Sequence, residues 1–212
     1  VALTATNSGA RTSGAFHIFD CAQQAAWDVL QATGTLPRAC DFRWYDGSTD
    51  AFYMSSESRV YLRGNEYTEA DEYDPCVILH EYGHHLSDDL SRDTNTAGFH
   101  TFASFEDPNL AWGEGVATAF VMLLLPGGVY WDSHGVDYYS TEVPLETLPA
   151  GEKLGLYGEM AVAAMVLDLA DGLSDDSVQN PAAVWDVLVN YLPAVTEPWI
   201  TPHTFYEGLI AL

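Results

Sequence analysis

The run His80-Glu81-Tyr82-Gly83-His84 is the feature that most limits what this chain can fold into. Asp74 followed by Pro75 starts a helix, with a capping residue first and then a proline at the first helical position, where its missing N–H costs nothing. On a helix running to about Leu86 or Ser87, positions four apart face the same way about 6 Å apart along the axis, so both imidazoles can reach one ion. Glu81 falls beside the first imidazole, where a carboxylate can hold a metal-activated water and take its proton. Zinc is the ion this donor set implies, and catalytic zinc takes three protein ligands and leaves one position open. The helix must therefore meet a third donor from elsewhere in the fold. Gly83 costs about 1 kcal/mol relative to alanine inside a helix, which implies that something packs closely there. His85 points away from the two ligands and reads as a core or supporting histidine.

The third donor is not a histidine close by, because the positions where a three-histidine pattern would place glycine and histidine hold Ser87 and Leu90. Glu114 is the better candidate. It lies in Trp112-Gly113-Glu114-Gly115-Val116, near the start of an apolar helix from about Leu110 to Leu125, where a carboxylate is otherwise out of place. The flanking glycines would let that helix approach the first one closely. Its competing reading is a charge that favours a helix N-terminus, and Glu106 is a rival ligand in the preceding loop.

This HExxH run, followed by a glutamate on a second helix, resembles the gluzincin group of zinc metallopeptidases, which includes thermolysin-like enzymes and zinc aminopeptidases. The resemblance covers about residues 74–171. It implies a zincin-like fold, bound zinc, His80, His84 and Glu114 as ligands and Glu81 as general base. The chain departs from the group in placing Glu114 30 positions after His84, and it lacks the aminopeptidase Gly-x-Met-Glu-Asn string, so an internal peptide bond is the expected target. Such enzymes also need a donor for the oxyanion. The resemblance suggests Tyr157, in Leu156-Tyr157-Gly158-Glu159, with His134, Tyr138 and Tyr139 of the preceding loop as alternatives. Asp168 interrupts the apolar run from Met165 to Ala170 and reads either as the partner of a ligand histidine's free ring nitrogen or as a carboxylate at the solvent edge.

Around these residues the pattern is α+β: a small antiparallel or mixed sheet lobe over residues 1–73, a helical lobe over 74–212, and the metal helix between them, the whole forming one catalytic unit. A strand is expected to end at Phe19, and a helix capped by Asp20 to run to about Thr33. Phe42 to Tyr45, Ala51 to Met54 and Arg59 to Leu62 read as antiparallel strands, with Glu69, Asp71 and Glu72 forming a solvated approach to the metal helix. Residues 131–151 read as a long loop, and further helices are expected over about 156–170 and 181–191. An extended protein or peptide substrate would lie along Arg59, Val60, Tyr61 and Leu62 as an edge strand.

Charge narrows the partners. With 31 acidic residues against 7 basic ones, the chain has a formal charge of −24 and no basic stripe for nucleic acid, and no apolar run long enough to insert in a membrane. That balance suits a salty or calcium-containing extracellular setting, so a secreted protein of bacterial or archaeal origin is expected. Calcium is then a candidate second ion, with Asp88, Asp89 and Asp93 as the acidic group. Of three cysteines, Cys21 and Cys40 are the expected disulfide pair and Cys76 a buried thiol. The reading from another class is a zincin-like extracellular binding module that holds zinc without turnover.

Overall fold

The computed structural model describes residues 12–45, 48–65, 67–96, 98–125, 129–134, 139–152, 154–170 and 180–212. Helix α1 (Thr12–Thr33) leads into strands β1 (Asp41–Tyr45), β2 (Phe52–Met54), β3 (Arg59–Asn65) and β4 (Glu69–Ala70). Helices α2 (Pro75–Leu90) and α3 (Pro108–Leu124) follow, then strands β5 (Val129–His134) and β6 (Tyr139–Pro144). Helix α4 (Glu159–Ala170) comes next. Helix α5 (Pro181–Asp186) then runs through a π-helical turn, Val187–Tyr191, into α6 (Leu192–Ala194), and α7 (Pro202–Ala211) ends the chain. The architecture is α+β, with a small mixed sheet on one side of α2 and packed helices on the other.

Helix α2 joins the two lobes because its apolar residues face both. Val77 and Ile78 pack with Val60 and Leu62 of β3 and Ile18 of α1. Leu79, Tyr82 and Leu86 pack into the larger cluster that α3, α4 and the C-terminal helices build. Every residue from Cys76 to Leu86 is consequently buried. Strand β3 shows the alternation expected of a sheet with one covered face, with Val60, Leu62 and Gly64 inward and Arg59, Tyr61 and Arg63 less covered.

Several expectations are corrected. The sheet is mixed: β1 pairs with β3 in parallel, and β2 pairs with β3 antiparallel. This follows from β2 folding back on one side of β3 through the turn at Ser55–Glu57, which leaves the other side to β1. Arg59–Leu62 therefore lie on the middle strand, and the edges are β1 and β2. Helix α1 starts at Thr12, so His17 to Phe19 are helical and Asp20 is no cap. Within the expected loop over 131–151, strands β5 and β6 form an antiparallel pair from Val129↔Pro144 to His134↔Tyr139. Asp71 and Glu72 are buried, Asp71 receiving Arg63 N–H and the Arg63 guanidinium. The Asp74 carboxylate does not cap α2; its Oδ2 accepts from Ser133 N (2.7 Å) and Ser133 Oγ (3.1 Å), tying the hairpin to the start of the metal helix.

Cys21, Cys40 and Cys76 are free thiols. The expected Cys21–Cys40 disulfide is absent here: Cys21 Sγ lies against His17 Nε2 (3.9 Å) and Cys40 Sγ donates to the Asp41 carbonyl (3.6 Å). Burial pushes the Cys21 thiol up to about 11 and the Cys40 thiol up to about 12.

Gly83 is where α2 and α3 touch. A Cβ there would come within 2.9 Å of Ala117 Cα and 3.0 Å of Ala117 O, both backbone atoms that cannot step aside. Gly115 does the same for α4, where a Cβ would meet Glu159 O at 2.7 Å, and Gly113 leaves room for Asn95. The glycines beside Glu114 thus admit α4 and Asn95, and the close approach to α2 is made by Gly83. Gly83→Ala is expected to lower unfolding free energy by about 1–3 kcal/mol despite the helix-propensity gain; urea titration measures it, and an unchanged midpoint would show that the helices separate freely.

Candidate metal centre

The three donors named from the sequence meet at one point. The Nε2 atoms of His80 and His84, on successive turns of α2, lie 3.3 and 3.1 Å from Glu114 Oε2 on α3. The two rings stand nearly perpendicular, with centroids 5.0 Å apart. One ligand atom from each of the three residues lies within 4.8 Å of the others, and all three residues are buried. Two imidazole nitrogens and a carboxylate oxygen converging in this way form a donor set that fits zinc and leaves an open side.

Neighbouring groups orient these ligands. Thr118 Oγ1, on α3 one turn beyond Glu114, lies 3.0 Å from His80 Nδ1, which would donate to it with Nε2 on a metal ion. Asn95 Nδ2 donates to Glu114 Oε1 (2.7 Å), leaving Oε2 to the histidines. Asn95 is itself set by its N–H bond to Asp93 Oδ1 (2.7 Å). None of these supports was evident in sequence, because Thr118 and Asn95 carry no motif and are placed by the α3 crossing and the loop after α2.

The electrostatics are those of a cation site. Burial alone would raise Glu114, but the two histidines hold its carboxyl far below the usual range. Burial pulls His84 down, yet the charge and hydrogen bond of Glu114, with help from Glu81, lift it to about 9. A proton on His84 thus occupies the place a metal ion would take. Zinc binding is expected to release about one proton from His84 on the acid side of about 9 and progressively fewer above it. Calorimetry of zinc uptake in buffers of different ionisation enthalpy measures this, and a pH-independent zero would contradict the assignment.

Glu81 is buried beside both ligands and faces the same cleft. Burial raises its carboxyl above the ordinary value, opposed by His80 and His84 and reinforced by Glu114. That cleft, about 590 Å³, is walled by β2, Tyr130 of β5, Asn95 and His100. His100, from the irregular connection between α2 and α3, places Nε2 3.7 Å from Glu114 Oε2 and bonds Glu159 Oε2 through Nδ1 (2.6 Å). Glu159 first, and Glu114 after it, outweigh burial and raise His100 to about 9. Sequence reading missed both residues; Glu159, adjacent to the named Gly158, was the nearer signal.

The remaining candidates lie elsewhere. Tyr157 is 51% exposed in the turn before α4, its ring toward Phe105 and its carbonyl accepting from Glu106 N. Helix α4 begins two residues later, so Glu159 and not Tyr157 is turned to the cleft. His134 is drawn to Glu69 and Asp132 at the end of β5. Tyr139 lies on β6, its side chain outside the described set, and Tyr138 lies outside the described residues. Asp168 is exposed on α4, and His80 turns to Thr118 instead. Glu106 accepts from Ser104 Oγ and Thr101 N, away from the ligands. His85 is the expected core histidine, donating Nε2–H to the Arg38 carbonyl (3.0 Å). The calcium expectation finds no support: Arg38 pairs with Asp88 and Asp89, and Asp93 caps Asn95.

Comparison with known families matches residues 21–196 to the Mycolysin C-terminal domain. No curated protein and no solved structure matches the chain.

Proposed function

Since the chain belongs to the mycolysin C-terminal domain family, we propose that it is a zinc-dependent endopeptidase hydrolysing internal bonds of protein or peptide substrates. The observation that carries this is the convergence of His80, His84 and Glu114 with a buried glutamate, Glu81, beside them on the same cleft. Zinc held by His80 Nε2, His84 Nε2 and Glu114 Oε2 would supply Lewis acidity toward the scissile carbonyl and acidify the attacking water.

The chain's own groups do the rest. Glu81, buried beside both histidines on the cleft, takes the water's proton on its carboxylate and passes it to the departing amine. His100, steadied by Glu159, presents Nε2 to the same space and is placed to donate to the carbonyl oxygen as charge develops there. The substrate backbone pairs with the edge strand β2, whose Phe52 and Tyr53 border the cleft. An extracellular, salt-rich setting for the enzyme is part of the same reading and is supported by the charge of −24.

Metal analysis paired with cleavage of an unbiased peptide library tests the reading. The expected result is one zinc per chain, cleavage lost on chelation, and recovery on adding zinc back. Stoichiometric zinc with no cleavage would instead identify a binding module.

A further inference from the structure

The cleft that holds the metal cluster is acidic beyond what hydrolysis needs. Apart from Glu81 and Glu114, its wall carries Asp50, Asp93, Asp132 and Glu159. Glu159 is matched by His100. Among the described residues, Arg63 is the one lysine or arginine that lines the cleft, and it is already held by Asp71 through Nε (3.1 Å) and by Glu69 through Nη1 (3.4 Å). Asp50, two residues before β2, spends Oδ1 on Ala51 N.

Two of these carboxylates flank the cluster. Asp132 is on β5, two residues from Tyr130, whose ring meets the His80 ring edge-on at 6.2 Å. Its Oδ2 is 3.5 Å from His134 Nε2, and its buried Oδ1 has no hydrogen-bond partner among the described residues. Asp93 follows α2 and lines the cleft beside Asn95, whose N–H its Oδ1 accepts (2.7 Å), and its charge acts on the His84 ring. Asp132, with a buried oxygen short of donors, gains most from a cation brought to it, and Asp93 adds a second negative charge on the other flank.

We propose that the cleft selects peptides carrying arginine or lysine beside the scissile bond, with Asp132 receiving a basic side chain on the His80 flank and Asp93 one on the His84 flank. This rests on the peptidase reading above and names the substrate class of that site. The negative surface of the whole molecule would speed the approach of such peptides, but the two aspartates decide where the charge is read.

The test uses the zinc-loaded full chain and one cleavable peptide remade with arginine, glutamine or glutamate on each side of the scissile bond. At low salt kcat/KM is expected to favour arginine over glutamate by at least about tenfold, shrinking toward parity in about 1 M salt. Asp132→Asn should abolish the preference on one side of the bond and Asp93→Asn on the other. Glu207→Gln, an exposed charge on α7, should leave both in place. Equal kcat/KM across the series, or a loss with Glu207→Gln as large as with the cleft variants, overturns the proposal while leaving the peptidase reading intact. Should no peptide be cleaved, the peptidase reading falls. Anisotropy with the same labelled peptides on zinc-loaded Glu81→Gln protein then decides the charge preference, and binding indifferent to charge overturns it.

Discussion

Zinc-loaded Glu81→Gln protein is expected to keep its metal and lose peptide hydrolysis by about 10²–10⁴-fold in kcat/KM, the usual contribution of a positioned general base. Glutamine preserves the shape and burial of the side chain next to His80 and His84 but cannot accept the water's proton. Because Glu81 is not one of the converging donors, zinc content should match wild type. Metal analysis and progress curves on the same preparation separate the two properties. A variant that retains most of its activity would remove Glu81 from the mechanism, and one that loses its zinc would make Glu81 part of the coordination. The raised carboxyl of Glu81 in metal-free protein also has a consequence, since a bound cation favours its ionised form. The acid limb of the activity profile should therefore lie lower than burial alone would set it.

The second large effect falls on Glu114. Glu114→Ala deletes the only carboxylate among the converging donors and should weaken zinc binding by more than the 10–100-fold typical of losing a group that merely supports a ligand, hence by at least about 100-fold. It should also abolish the proton release described for His84, because that proton is held largely by the Glu114 charge. The stability of metal-free protein carries the same signature. A histidine raised from 6.5 to about 9 on folding contributes stability that is complete below 6.5 and lost as pH rises through about 9. Metal-free wild type should therefore lose stability across that window, and metal-free Glu114→Ala should be flatter there. Zinc added in excess should raise the melting temperature of wild type far more than that of the variant. Wild-type zinc affinity in Glu114→Ala would mean that another group, such as Asp93 or His100, completes the site.

The local pattern of the chain was sufficient for the ligand helix. His80, Glu81 and His84 could be assigned because a helix repeats its faces at fixed short spacing, so residues four apart need no knowledge of the rest of the fold. Glu114 was legible for a related reason, as a carboxylate in an otherwise apolar helix has to be compensated. Gly83 announced a close contact through its cost to the helix. What could not be read locally was the set of groups brought together by crossing elements. Thr118 reaches His80 only through the α2–α3 contact at Gly83 and Ala117. His100 and Glu159 are 59 positions apart and meet only because α4 packs against α3 through Gly115. Tyr157 and Asp168 had suitable chemistry and sequence context, but the start and rotation of α4 turned Glu159 to the cleft and left both outside it. The strand order likewise depended on which side of β3 the returning β2 took, and a period-two pattern is the same for an edge and a middle strand. The sequence by itself thus determined a His/His/Glu cluster that fits zinc, with two donors on one helix and a third marked by its misfit, and the place of Glu81 beside them. The supporting hydrogen bonds, the acidic walls and the place of β2 at the edge beside the cleft were decided by the tertiary structure, because they come from contacts between elements far apart in the chain.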